Sequence, residues 1–241
     1  MKFLVKVILI LIFVPFSLVF LLSSSVKFQL LNANFYKNIF VKNNVYANLS
    51  RDTKNYAENQ TIKGGGKTED LKVLTDIITP DLVKDIVTRN LDNFLDFTNG
   101  KKEKFLVYIP IHKLPKEFVP TSIDLQSEEI AFRNLISKFN FTLPADLPLS
   151  QIAYLGLFTN YVFFGSIFLV SIFIILLYRF RALSWGLIFS GVIVLVLSSL
   201  GFFLKTYFIF EIILHEVLII WTIVGGVMLG LGIILSFVQR K

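Results

Sequence analysis

Four apolar runs, each about as long as a bilayer is thick, constrain this chain more than any other feature. They are Phe3–Leu22, Tyr154–Tyr178, Leu183–Leu204 and a segment from about Val217 to Val238. A hydrocarbon layer of about 30 Å needs roughly 20 consecutive apolar residues in a helix. In lipid every backbone polar group must be satisfied within the segment, and for runs this continuously apolar the solution is a helix. The predicted fold is therefore mainly α. One transmembrane helix is N-terminal, three are C-terminal, and a mostly helical extracytoplasmic domain lies between spans one and two. The expected boundaries are an anchor over 1–23, the domain over 24–150 and a three-helix membrane region over 151–241.

Basic residues flank the runs with a consistent sidedness. Lys2 and Lys6, then Arg179 and Arg181, then Arg240 and Lys241 fall on one side of a four-span arrangement, and only Lys205 marks a short turn on the other. Short flanks rich in Lys and Arg stay in the cytoplasm. Both termini are expected there, in a multi-pass protein of the cell membrane. The first run is also compatible with a signal peptide ahead of Ser23–Ser25, but no small-x-small cleavage pattern stands out, and the reading adopted is an uncleaved anchor.

Charge also divides along the chain. Of 17 acidic residues, all but Glu211 and Glu216 lie between Ser24 and Ser150, leaving 15; the same segment holds 17 Lys and Arg, a balance of 17 − 15 = +2. The remainder of the formal +7 flanks apolar runs. Topology explains that excess and nucleic-acid binding does not. With no cysteine in the chain, disulfides, thiolate metal sites and cysteine nucleophiles are excluded.

Within the domain, Asn32–Leu49 carries aromatic and aliphatic residues at helical spacing (Phe35, Tyr36, Ile39, Phe40). The polar stretch Ser50–Asp70, with Gly64-Gly65-Gly66 inside it, predicts a mobile loop. A short helix is expected over Leu71–Ile78. The strongest helix signal starts at Thr79-Pro80-Asp81, a cap, a first-turn proline and an acid that suits the helix dipole. Leu82, Val83, Ile86, Val87, Leu91, Phe94 and Leu95 form its apolar face, and Asn99-Gly100 ends it. Lys104–His112 reads as extended, with Pro110 and Pro115 confining it to an edge or a non-sheet role. Ser127–Phe139 predicts another amphipathic helix, with Glu128 and Glu129 at its start.

Few motifs bear chemistry. Gly64–Thr68 (GGGKT) resembles the end of a phosphate-binding loop, but Thr61 stands where the first glycine is needed and no strand precedes it. Three Asn-x-Ser/Thr triplets begin at Asn48, Asn59 and Asn140; in an Asn-rich chain they are expected by chance. His112 has no acidic residue close in sequence. Gly226 and Gly230 make a small-xxx-small pattern that permits close helix approach, within the chain or between chains.

The stretch Phe208–Trp221 holds the candidate polar site: Glu211, His215 and Glu216, with Thr222 just beyond. Glu211 and His215 share a helix face at i, i+4. Thr206–Val238 as one helix is about 50 Å long, against a hydrocarbon core of about 30 Å. Counted back from Arg240, the core ends near Val217, which places the trio at or beyond the outer interface. There the charges are expected to be solvated or packed under the domain. The functional alternative is an acid–imidazole pair at a polar groove, as in a small transporter or channel component. No catalytic residue, cofactor site or metal site is assigned; two or three ligands on one helix are too few for zinc without a contribution from the domain.

One resemblance emerges from the layout. An N-terminal span leads to Phe35-Tyr36 and Val45-Tyr46-Ala47-Asn48-Leu49. Then come Ile78-Thr79-Pro80-Asp81-Leu82-Val83, Leu91-Asp92-Asn93-Phe94-Leu95, Ile109-Pro110-Ile111-His112-Lys113, and Leu143-Pro144 ahead of clustered spans. This resembles a group of bacterial four-span envelope proteins with a helical extracytoplasmic domain after the first span. The resemblance implies a topology and no activity. The expected function is that of a non-catalytic structural or accessory membrane protein. It would contact the lipid bilayer and either bind a protein partner through the domain or form a homo-oligomer.

Overall fold

The computed structural model of the protein describes residues 2–63, 68–113, 128–132, 149–204 and 207–239. The GGGK segment 64–67, most of the helix expected over Ser127–Phe139, residues 141–148 before the second span, and Lys205 lie outside the described residues. The chain is mainly helical and divides into two compact units, Met1–Tyr36 with Leu157–Lys241, and Lys37–Gly156.

The first unit carries four helices long and apolar enough to cross a membrane: Phe3–Leu30, Leu155–Arg179, Leu183–Gly201 and Phe208–Gln239. The protein is an integral membrane protein by this criterion. Helix α1 (Lys2–Ser25) runs into a π-helical turn at Val26–Leu30, so the first helix continues past the Leu22 expected from hydropathy. The serines that suggest a boundary do not break it. Ser23 and Ser24 donate to the Phe20 carbonyl at 3.0 and 2.7 Å, a bond that hides a hydroxyl inside an apolar helix. Tyr36 Oη donates to the Leu30 carbonyl at 2.8 Å, satisfying one of the acceptors that a helix end leaves free.

Around α1, helix α7 (Leu155–Arg179) and helix α8 (Leu183–Gly201) build a core on Phe13, Leu177, Ala182 and Leu183. Phe16 stacks on Phe173 at 5.5 Å. The turn joining α7 to α8 places Arg181 at φ 51°, a left-handed residue that reverses the chain in a short connection. Helix α9 (Phe208–Gln239) is one continuous helix of 32 residues and packs along α8.

That seam is built on glycine. A Cβ at Gly191 would lie 2.7 Å from the Leu229 nitrogen and 2.8 Å from the Gly225 oxygen, and one at Gly232 would lie 2.9 Å from the Ile188 nitrogen. Small residues let backbones approach where lipid supplies no hydrophobic drive for association. Gly226 and Gly230, the pair singled out by sequence, have nothing within 4 Å of the point where a Cβ would stand. The packing inside the chain therefore runs through Gly225 and Gly232, not through the expected pair. The reason is phase: Gly225 and Gly232 are seven residues apart and return to one face, whereas Gly226 is turned about 100° from Gly225.

The second unit begins within α2 (Ala33–Lys42) and continues with α3 (Val45–Lys63), α4 (Thr68–Ile77), α5 (Pro80–Thr98), β1 (Leu106–Tyr108), a 3-10 turn at Ile111–Lys113, β2 (Glu129–Ala131) and α6 (Leu149–Ala153). The helix expected over Asn32–Leu49 is two helices, split where Asn44 takes φ 52°, a conformation Asn tolerates better than most residues. The loop expected over Ser50–Asp70 is helical as far as Lys63 and again from Thr68. Polarity there reports an exposed helix. No glycine or proline interrupts it before Gly64, and Arg, Lys, Glu, Gln and Ala are adequate helix formers. Buried Val45, Tyr46 and Ser50 hold its first half, and Ser50 Oγ donates to the Ile78 carbonyl at 2.8 Å.

Helix α5 starts as expected. Thr79 caps it by accepting from the Leu82 nitrogen, Pro80 opens the first turn, and Gly100 ends it at φ 72°. Its inner face is shifted from the expected one. Leu82 and Leu95 are buried, but so are Phe97 and Thr98, while Phe94 is 38% exposed. Phe105, from beyond the helix, packs its ring on both Phe94 and Phe97.

The β1 segment is extended and pairs antiparallel with β2, with Val107 opposite Ile130. Periodicity assigns Glu129–Ala131 to a helix start; the structure makes it a strand. The strand is imposed by its partner: Ile109 N donates to the Glu128 oxygen at 2.8 Å and Phe132 N to the Phe105 oxygen at 2.9 Å. Short segments adopt the structure whose hydrogen bonds the tertiary context completes.

Candidate functional site

Two places gather polar side chains, one in each unit. On α9, Glu211 and His215 lie on one exposed face, and Glu216 is half-buried. His215 packs edge-on against Phe202 with ring centroids 4.9 Å apart. The neighbouring helix gives an internal ruler. The α8–α9 seam extends from the Ser184–Gln239 hydrogen bond (3.1 Å) at one end to Gly201 against Leu218 at the other. Residues Phe208 to Val217 of α9 therefore overhang the end of α8 by about 15 Å at 1.5 Å per residue. All three charged residues belong to that overhang, and none lies along the paired part of the two helices.

Thr222 does not join them. Its hydroxyl donates to the Leu218 carbonyl at 2.9 Å and approaches the Ser198 hydroxyl at 3.1 Å. Ser198 is wholly buried in the seam. Thr222, itself exposed, thus bonds across the α8–α9 seam, two turns along the helix from His215. Among the described residues no three His, Asp or Glu side chains converge on a point that could hold a metal.

The other cluster is in the second unit, on the face of α5 that carries β1. Asp85 accepts from Lys113 Nζ at 2.9 Å, from Arg89 Nε at 2.9 Å and from Tyr108 Oη at 3.2 Å. The Arg89 guanidinium lies over the Tyr108 ring, 4.4 Å from its centroid, a cation–π contact worth about 0.5–2 kcal/mol. Asn90 donates to the Tyr108 carbonyl at 2.9 Å and accepts from the Tyr108 nitrogen at 2.8 Å. One amide side chain thus imitates a neighbouring strand along the open edge of β1. His112, without an acidic neighbour in sequence, is bonded through Nδ1 to Glu128 Oε1, which the β1–β2 pairing brings beside it.

Sequence reading passes over Asp85, Asn90 and Tyr108. The available signal is Asn90, a polar residue one position before Leu91 on the expected apolar face. Its bonding partner, the backbone of Tyr108, leaves no trace in side-chain pattern.

Hydrogen bonding from Lys113, followed by Arg89 and Tyr108, holds the Asp85 carboxyl below its ordinary pKa, against the opposing push of burial. Burial, and then the bond to Asp85, raises the Tyr108 phenol. These groups are charged or neutral in the states that bind one another. The cluster is thus arranged to clamp β1 on α5.

No family model matches this chain, and no characterised protein or solved structure matches it either. Function must be read from the arrangement itself.

A depressed carboxyl pKa stabilises the fold above the unfolded value of about 4 and is lost as pH falls through the folded value. Asp85→Asn should therefore cost the second unit about 1 kcal/mol at neutral pH, and the gap to wild type should close as pH falls below the ordinary carboxylate range and the Asp85 carboxyl takes up its proton. Hydrogen exchange of α5 and β1 in the full-length protein, corrected for intrinsic rates, reads this directly. A gap that persists unchanged in acid would rule out the carboxylate as its source.

Proposed function

We propose that this is a non-catalytic accessory protein of the cell envelope. Both termini are cytoplasmic, and the segment 24–150 is an extracytoplasmic domain that binds a protein partner. The observation that carries the topology is the charge sidedness, with Lys2, Lys6, Arg179, Arg181, Arg240 and Lys241 at one set of span ends. The overhang of α9 supports it, because Glu211, His215 and Glu216 then project from the opposite face instead of lying in lipid. An accessory role is supported by the way the domain's charged side chains are used. Asp85, Arg89 and Lys113 bind one another across α5 and β1, as Lys37 and Asp92 do.

The absence of cysteine makes the test clean. Asp52→Cys and Glu211→Cys should react with a membrane-impermeant maleimide in cells whose inner membrane is intact. Arg181→Cys should react only after lysis. The reverse pattern would overturn the topology. Proximity cross-linking from the Asp52→Cys variant should then capture a discrete envelope protein; capture of lipid alone would defeat the partner reading.

A further inference from the structure

Lys27 is the one described lysine in the π-helical turn that ends the first helix, and its surroundings are unusual for a charge. Its ammonium lies 4.2 Å from the ring centroid of Phe164, 4.4 Å from Phe163 and 5.7 Å from Phe28. Among the described residues no carboxylate pairs with it. An ammonium carries three N–H donors, and aromatic faces attract the cation without accepting those bonds as oxygen does. The frame is also lopsided. Phe163 is buried, whereas Phe164 and Phe28 are 61% and 56% exposed, so one flank of the ammonium opens to the surroundings.

Two rulers locate that flank. Phe163 and Phe164 are sixteen and fifteen residues from Arg179 along α7, roughly 23 Å at 1.5 Å per residue. Lys6 and Lys27 are 21 residues apart along the first helix, roughly 31 Å. A hydrocarbon core of about 30 Å puts the Lys27 backbone at its far boundary, with the ammonium reaching back onto rings just inside. Sequence hydropathy stops the first span at Leu22 and leaves Lys27 outside it. The helix carries this charge to the level at which lipid phosphates begin.

We propose that Lys27, framed by Phe28, Phe163 and Phe164, binds the phosphate of an anionic phospholipid headgroup in the leaflet distal to Lys2. The rings hold the ammonium beside the helices and leave its open side for phosphate oxygens. The lipid supplies the negative charge that no described side chain provides. The π-helical turn Val26–Leu30 ends the first helix with the Lys27 ammonium over two rings of α7. The inference depends on membrane insertion but not on the accessory role proposed above.

The test uses the full-length protein in mixed phosphatidylcholine–phosphatidylglycerol vesicles, with spin-labelled lipids reporting the immobilised fraction. Lys27→Gln should lower the preference for phosphatidylglycerol over phosphatidylcholine about fivefold, the effect of one lysine on an anionic lipid. Lys27→Arg should keep most of the preference. Lys63→Gln, on α3, should leave it unchanged. An unaltered preference in Lys27→Gln would overturn the site, and so would equal losses for both lipids, which indicate a disturbed fold. Displacement of the labelled lipid by glycerol 3-phosphate or inorganic phosphate would assign the site to a free phosphate and overturn the lipid source. Flotation with the vesicles is scored separately, so failure of the site is distinct from failure to enter the membrane.

Discussion

Replacing Gly191 with valine should destabilise the membrane unit by about 3 kcal/mol, the upper end of what overpacking usually costs. The reason lies in what the new side chain would meet. A Cβ at this position falls 2.7 Å from the Leu229 nitrogen and 2.8 Å from the Gly225 oxygen. Those are backbone atoms, which cannot rotate away, so α8 and α9 would have to separate. Gly226→Val and Gly230→Val meet nothing within 4 Å and should change the stability of the chain by less than about 0.5 kcal/mol. Thermal unfolding of the purified protein in detergent, followed by circular dichroism, compares all three. If the Gly226 and Gly230 variants lose as much as Gly191→Val, the seam described between α8 and α9 is wrong.

Tyr108→Ala should have an effect of similar size in the other unit, about 3–4 kcal/mol, as for deletion of a buried aromatic ring. Tyr108 is 2% exposed and serves three partners at once. Its ring lies under Arg89, its hydroxyl bonds Asp85, and its backbone is held by Asn90. Tyr108→Phe keeps the ring and loses only the hydroxyl bond, for about 1 kcal/mol. Hydrogen exchange in the full-length protein separates the two variants: β1 and the middle of α5 should lose protection strongly in Tyr108→Ala and weakly in Tyr108→Phe. The exchange of α8 and α9 serves as the reference. Equal effects of the two substitutions would mean that the phenol, and not the ring packing, holds β1 in place.

The spans were legible because lipid is an undemanding reader of sequence. A continuously apolar run such as Leu183–Gly201 forms a helix in hydrocarbon whatever its neighbours are. The α5 cap was legible for a similar reason: Thr79, Pro80 and Asp81 act within one turn, on backbone groups that they can reach themselves. Ser50–Asp70 was misread because polarity signals exposure, and an exposed helix and a loop share it. Glu129–Ala131 was misread because its strand exists only through hydrogen bonds to a segment some twenty residues earlier. Phe97 joined the buried face unannounced because Phe105, which packs on it, comes from beyond the helix.

The candidate polar residues divide in the same way. That Glu211 and His215 share a face, and that the helix carrying them is too long for the bilayer, follows from spacing and from the fixed rise of a helix. That Thr222 bonds across the α8–α9 seam required the position of Ser198. His112 acquired Glu128, and Lys27 acquired its aromatic frame, only when distant elements met.

The sequence alone thus determined which parts of this protein can lie in a membrane, because that depends on the chain's local exchange between water and lipid. Tertiary structure alone decided which glycines let helices touch, which carboxylate clamps the small ribbon, and which lysine faces aromatic rings. Those are matters of phase and meeting between separate segments, and a helix with glycine at 225, 226, 230 and 232 does not reveal its inner face until a second helix lies against it.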